Sequence, residues 1–362
     1  MANRKPRRTP PPPNARRHIA VIGAGMAGIA CARTLVQAGH RVTVFEKSRG
    51  AGGRMATRRS EFGGFDHGAQ FFTVRDERFQ RALQATAAPV ANWRVNTVRV
   101  LDAMGQTMAS APPPRETQWV GTPGMNAVVK HWAEPLGNGS LNAEVKFETL
   151  VTRVEADALA PQRWQLRTEA PDGGQTVHGG FDQVVLALPH PQAQTLLRAS
   201  ALQPDWIKRL NAVSVAPCWT LMLAFPQAMQ PGLNGFGPRW HVARGDHHRI
   251  AWLAREASKP GRDPVERWTV QASPAWSAEH LEDDAERVKA KLLKGFSELT
   301  GIRATPSHAV AHRWRYAQTS QPLGEACLWD ARQGLGVCGD WCLGHRVENA
   351  FVSGLELALT MA

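Results

Sequence analysis

Residues His18–Glu46 read HIAVIGAGMAGIACARTLVQAGHRVTVFE: a short β-branched run, three glycines, a helical pattern and a second β-branched run ending on an acid. His18–Ile22 predicts a strand, Ile29–Ala38 a helix that stops at Gly39, and Arg41–Phe45 a second strand, which together make a βαβ unit. Between the first strand and the helix, Gly23, Ala24, Gly25, Met26, Ala27 and Gly28 form a G-x-G-x-x-G turn. Gly23 permits the tight turn, Gly25 lets backbone approach a pyrophosphate, and Gly28 lets helix and strand pack closely. The helix start offers free N–H groups and the positive end of a dipole to phosphates. Glu46, at the end of the second strand, is placed to accept hydrogen bonds from ribose hydroxyls. The unit therefore holds a dinucleotide.

Which dinucleotide is decided by Phe45–Met55, FEKSRGAGGRM. After Glu46 and Lys47 comes a second glycine-rich turn with basic side chains, for which a simple nicotinamide dehydrogenase has no use. A larger dinucleotide would use it: Gly53 brings backbone close, and Arg54, followed by Met55, offers a guanidinium fork to the diphosphate. FAD is the expected cofactor.

On these residues the chain resembles the FAD-binding amine oxidase superfamily, in which the acid and the Gly-Gly-Arg turn, here Glu46 and Gly52–Arg54, both contact FAD. Gly64–Phe72, GFDHGAQFF, is similar to the turn of that superfamily beside the isoalloxazine ring. Together with Trp119–Asn126, WVGTPGMN, and the C-terminal block, it resembles the bacterial renalase-like NAD/FAD-dependent oxidoreductases over nearly the whole chain after residue 17. The resemblance implies that Asp340, after the late strand Gly334–Gly339, binds the ribitol. It implies that Val151 contacts adenine through its backbone. Glu348, Asn349 and Ala350 open a helical run, Asn349–Met361, whose positive end would face the flavin. The covalent-attachment context of monoamine oxidases is absent around Cys338 and Cys342, so the FAD is expected to be noncovalent.

The fold class expected is α/β (α+β overall), a Rossmann-like FAD-binding domain interleaved with an antiparallel-sheet substrate domain. Residues 1–17 read as a disordered basic tail; 18–75, 120–189 and 305–362 as the FAD-binding domain; 76–119 and 190–304 as the substrate domain. In the last of these, Val213–Phe225, Ile250–Ala254 and Arg267–Ala272 predict strands, and Ser277 is placed to cap one helix over Ala278–Leu299.

Composition narrows the partners. At 362 residues, 43% hydrophobic and 20% charged, the chain has the make-up of a globular protein. No apolar run approaches the ~18 residues of a membrane span. Arg4, Lys5, Arg7, Arg8, Arg16 and Arg17 supply half of the formal +12. With Pro10–Pro13, that tail reads as a solvated extension before a nucleic-acid arm. Five cysteines without a Cys-x-x-Cys pair read as reduced thiols, and the expected location is the cytoplasm.

Catalytic candidates are His67 and Gln70, whose turn is set to face the flavin, packing against Phe71 or Phe72 being the alternative. Lys259 is a third, as the lysine that holds a water at flavin N5 in related oxidases, a surface loop being its alternative. His312–Tyr316, HRWRY, offers a phosphate site or an exposed strand edge. His247 and His248 lack companion ligands, so no metal is expected. A single tyrosine, Tyr316, rules out a two-tyrosine amine cage, and the basic balance suits an anionic nicotinamide dinucleotide. The expected reaction is hydride transfer from a dihydropyridine, the 2- or 6-dihydro forms of NAD(P), to flavin N5, with oxygen as acceptor. An amine oxidase or desaturase on the same scaffold is the alternative enzyme. A flavin-binding interaction protein without turnover is the alternative of another class.

Overall fold

A computed structural model describes residues 16–95, 98–104, 106–111, 116–139, 142–229, 237–238 and 240–362. Apart from Arg16 and Arg17, the expected basic tail lies outside the described residues. The opening motif keeps its two strands as read, with its helix starting three residues earlier than Ile29: β1 (His18–Ile22), α1 (Met26–Gln37) and β2 (Arg41–Phe45). β1 lies in the middle of a six-stranded sheet. In spatial order the strands are Leu328–Asp330, Leu335–Val337, Gln183–Leu186, β1, β2 and Ala143–Lys146. All neighbours are parallel except the first pair. Ile19, Ala20 and Val21 have no exposed surface because both faces of the sheet are covered, which is why these strands read as unbroken apolar runs.

One face carries α1, the helix Ala127–Gly137 and the C-terminal helix Val347–Met361. The other meets a three-stranded antiparallel sheet, Leu150–Ala156, Trp164–Glu169 and Gln175–Phe181. Gly23, at φ +109°, turns the chain out of β1 where a side chain would run into the Ala187 carbonyl oxygen, 2.5 Å from an ideal Cβ. The C-terminal helix crosses α1 so closely that a Cβ at Gly354 would stand 2.1 Å from the Ala27 carbonyl oxygen.

A seven-stranded sheet makes the second layer, in the order His308–Gln321, Ser214–Ala224, Arg267–Ala272, Ile250–Arg255, Val242–Gly245, Val98–Leu101 and Thr107–Ala111. Its pairs are antiparallel except Val242–Gly245 with Val98–Leu101. The helix Ala285–Thr300 covers it with Val288, Leu292, Phe296 and Leu299, one stripe at helical spacing.

Three expectations need correction. Residues 305–362 do not stay together: His308–Gln321 pairs along its length with Ser214–Ala224, so it belongs to the seven-stranded sheet. Within 76–119, the helix Glu77–Ala85 packs on the nucleotide side, its Phe79 ring 4.9 Å from Phe351 of the C-terminal helix. The single helix from Ser277 is two. Ser273 caps Pro274–Glu279 through Trp276 N, and Asp284 caps Ala285–Thr300 through Glu286 N and Arg287 N.

The helix crossing gives a stability test. Gly354→Ala forces α1 and the C-terminal helix apart and lowers the unfolding free energy in urea by about 1–3 kcal/mol. Gly137→Ala, at a helix end with nothing within 4 Å of its Cβ, leaves it unchanged or raises it by up to about 1 kcal/mol.

Candidate functional site

The nucleotide cradle is assembled from backbone. α1 begins at Gly25 with no side-chain cap and no acid in its first turn, so its N–H groups and dipole await an anion from outside the helix. A Cβ on Gly25 would meet nothing nearer than the Gly53 Cα at 3.9 Å, so the two glycine turns face each other across a gap that a side chain would fill. Ala24, Met26, Ala27 and Gly28 are buried behind that gap. Glu46 is also buried. Its Oε2 accepts from Ala24 N at 2.8 Å and its Oε1 from Ser48 N at 2.9 Å, which ties the two turns together. Each oxygen keeps a lone pair for a ribose hydroxyl. These features fit a dinucleotide. Lys47 is exposed, Met55 is packed in the core, and Val151 is buried at the start of the three-stranded sheet.

Arg54 and Asp340, read separately from sequence, are partners. Arg54 Nη1 donates to Asp340 Oδ2 at 2.9 Å, and Nη2 donates to Oδ1. Arg54 Nη1 also reaches the Ala317 carbonyl at 3.3 Å. The guanidinium keeps Nε–H and part of Nη2 for a diphosphate, while Asp340 is oriented by the pair and by Thr319 Oγ1 at 3.4 Å. Gly339 N donates to Ser353 Oγ at 2.9 Å, which fixes the strand end against the last helix. Glu348 Oε2 accepts from Arg75 N and from Asp76 N, the latter at 2.8 Å. Asn349 caps its own helix by accepting from Arg346 N at 3.0 Å, and Ala350 is half-buried beside it.

The turn Asp66–Gln70 is the second part of the site. His67 is buried against His312 and Trp314, ring centroids 4.7 and 5.0 Å away, and Trp314 Nε1 donates to the His67 carbonyl at 2.9 Å. His312 and Trp314 alternate along one strand and so share a face. Burial first, then the charges of His312 and Arg58, lower the His67 pKa to about 4, and its Nδ1 is buried without a hydrogen-bond partner. Gln70 is buried too, its Nε2 directed at the carbonyls of Asp66 and Gly68 and its Oε1 at Lys259 Nζ, 3.2 Å away.

Lys259 does not stand on a surface loop. Its side chain has no exposed area, and Nζ lies 3.0 Å from Glu256 Oε2 and 3.2 Å from Asp66 Oδ2 as well as facing Gln70. Arg262 joins them, Nη2 to Asp66 Oδ2 at 2.7 Å. Burial alone would raise the Asp66 pKa, but Lys259 and Arg262 together hold it below the usual carboxylate range. Asp66, Glu256 and Arg262 escaped the sequence reading, although the spacing of Glu256, Lys259 and Arg262, three residues apart each time, is visible in REASKPGR.

A family model described as an NAD(P)-binding Rossmann-like domain matches residues 21–86, and one described as flavin containing amine oxidoreductase matches residues 78–361. The chain is 27% identical over 185 residues to the putative flavin-containing monooxygenase FMO GS-OX-like 10 of Arabidopsis thaliana, covering 49% of this chain and 38% of that one. It is 56% identical over 46 residues to the putative L-amino-acid oxidase YobN of Bacillus subtilis, 13% of this chain and 10% of that one. The chain thus spans less than two-fifths of the length of either relative. The crystal structure of a putative protoporphyrinogen oxidase from Exiguobacterium sp. 255-15 superposes with a TM-score of 0.71 over 96% of this chain and 98% of that one. At 14% identity that likeness speaks for the fold. The chain belongs to the flavin-containing amine oxidoreductase family, a family of FAD-dependent oxidoreductases. Among the described residues no helix is long and apolar enough to cross a membrane.

Two measurements test the site. Glu46→Ala and Arg54→Ala each remove charge-assisted hydrogen bonds and are expected to weaken FAD binding roughly 10- to 100-fold in a fluorescence titration. Unchanged occupancy in both overturns the assignment. His67, neutral when folded, lets the unfolded chain take up a proton first, so its contribution is whole above pH 6.5 and is lost as the pH falls to about 4. Across that window, urea denaturation is expected to show the wild type losing about 3 kcal/mol more than His67→Phe.

Proposed function

We propose that this family member oxidises the 2- and 6-dihydro isomers of NAD(P)H to NAD(P)+, with oxygen as the final acceptor, as its renalase-like resemblance implies. The observation that carries the reading is the charge state of the wall. The two carboxylates buried at the Asp66–Gln70 turn, Asp66 and Glu256, are already faced by Lys259 and Arg262, which leaves neither to receive a cationic amine. What remains at the turn is neutral and aromatic: His67, His312 and Trp314, a surface suited to a flat uncharged ring. Tyr316 alone cannot supply a pair of tyrosines for an amine.

When bound, the flavin supplies the hydride acceptor and the route of the electron pair to oxygen. The chain's own residues bind and orient. Glu46 would hold the adenosine ribose, the start of α1 and Arg54 the diphosphate, and Asp340, oriented by Arg54, the ribitol. The lone pair on the dihydropyridine nitrogen expels the hydride, so no protein base is required, in keeping with a neutral, unpartnered His67. Catalysis rests on placing the donor carbon against its acceptor and on keeping water out. The seven-stranded sheet, including His308–Gln321, supplies the substrate side through His312 and Trp314, while Arg313 and Arg315 of that strand alternate to the other face and pair with Glu282.

An anaerobic absorbance titration of the FAD-loaded protein tests this. Rapid bleaching of the flavin bands by borohydride-generated dihydro-NAD(P) isomers, with slow or no bleaching by a panel of amines, is expected. Bleaching by amines alone replaces the reading with the amine oxidase alternative. No bleaching by either class, together with steep salt-sensitive binding to nucleic acid, would favour an interaction protein.

A further inference from the structure

The turn Asp66–Gln70 and the loop Glu256–Arg262 meet far from their neighbours in sequence and enclose four charges. The side chains of Asp66, Glu256 and Lys259 have no exposed area, and that of Arg262 has 2%. Each carboxylate faces a buried cation. Asp66 Oδ1 accepts from Thr57 Oγ1 at 2.7 Å and Met125 N at 2.9 Å, and Oδ2 faces Lys259 and Arg262. Glu256 Oε1 accepts from Thr269 Oγ1 at 2.5 Å and from Asp66 N at 3.1 Å, and Oε2 pairs with Lys259. Lys259 Nζ donates to Asp66 Oδ2 and to Gln70 Oε1, each at 3.2 Å, and stands 3.0 Å from Glu256 Oε2, so the ammonium is enclosed by three acceptors on a side chain with no exposed area. Its hold on Gln70 Oε1 obliges Gln70 Nε2 to face the carbonyls of Asp66 and Gly68, which closes the turn on itself.

A sealed, balanced cluster of this kind confers little net stability over an apolar core of the same shape. What it does confer is a fixed geometry for the turn between its two ends. We propose that Glu256, Lys259 and Arg262 are positioning residues that act through Asp66 and Gln70 to hold His67 in contact with His312 and Trp314, and that Lys259 does not itself touch the reacting atoms. This rests on the reading above only in taking that turn as a wall of the substrate site. Each residue has a share: Arg262 and Lys259 fix the Asp66 carboxylate, Glu256 fixes the Asp66 amide, and Lys259 fixes the Gln70 amide group.

The test reads His67 directly. The charged groups facing its ring are His312 on the long strand, Arg58 on the preceding hairpin and Asp66 in its own turn. In histidine-labelled, FAD-loaded protein, the resonance absent from His67→Phe is expected to titrate near pH 4. The charge-balanced pair Glu256→Gln with Lys259→Met, and separately Gln70→Leu, should both let water reach the ring and move the midpoint up by one pH unit or more. The combination of all three should move it no further. Flavin reduction by dihydro-NAD(P) should slow at least 10-fold in each, with reoxidation by oxygen unchanged. An unmoved midpoint in both variants overturns the proposal. So does a loss in the lysine variant that multiplies with that of Gln70→Leu, or slowed reoxidation in the lysine variant alone, because either places Lys259 at the reacting atoms. If the paired variant does not fold, Gln70→Leu alone decides by its midpoint. If the wild type is not reduced by any dihydropyridine while the midpoints move as expected, the substrate reading fails and the positioning role stands.

Discussion

Asp66 is a carboxylate with no exposure, and much of the molecule is arranged so that it can be an anion there. Thr57 and the Met125 amide come to it from the nucleotide half, and Lys259 and Arg262 from the loop that leaves the seven-stranded sheet. An unpaired charge at that depth would cost several kcal/mol, so the two halves are held at one spacing by the demand that every charge meet its counterpart. Hydrophobic contact alone would tolerate sliding. A four-charge cluster with hydrogen bonds at three of its four carboxylate oxygens and an ion pair at the fourth does not, because each bond falls off steeply with distance and angle.

A second ion pair does the same at the other end of the site. Arg54 comes from the glycine-rich turn after β2, and Asp340 from beyond the late strand, so their two-bond contact ties the first and last portions of the chain. Glu46 ties the two glycine turns, and Gly339 is tied to Ser353. The cofactor side is therefore built of cross-links between segments that are each short and locally ordinary. At the Asp66–Gln70 turn, the imidazole and indole rings of His67, His312 and Trp314 pack on one another in place of ionised groups.

What was legible in the sequence was what local rules control. β1 and β2 fall on the residues predicted, because β-branched runs bounded by glycines leave little choice, and the G-x-G-x-x-G turn and Glu46 follow in register. Family membership was legible from the same residues. The strand His308–Gln321 was assigned to the wrong half because which sheet a strand joins is a matter of partners 84 to 107 residues away, and nothing in HAVAHRWRYAQTSQ declares them. The break between the helices at Pro274–Glu279 and Ala285–Thr300 was hidden because Ser277 satisfies the cap rule, while Ser273 before a proline and Asp284 satisfy it better. Lys259 precedes Pro-Gly and so reads as a surface turn. Its burial depends on Asp66 and Glu256 being there to receive it, which no window of sequence around 259 contains.

The crossing of α1 by the C-terminal helix, at Gly354 against the Ala27 carbonyl, bears on the order of assembly. The sheet that carries β1 takes the two strands of one edge from residues 328–337, and its helical face is closed by residues 347–361. A growing chain that has made the motif of residues 18–46 cannot yet bury it, and must wait for residues 347–361 to emerge. Cofactor capture then follows the emergence of residues 347–361, and the edge of Gln183–Leu186 that Leu335–Val337 will pair has to be kept from other chains until that strand is made.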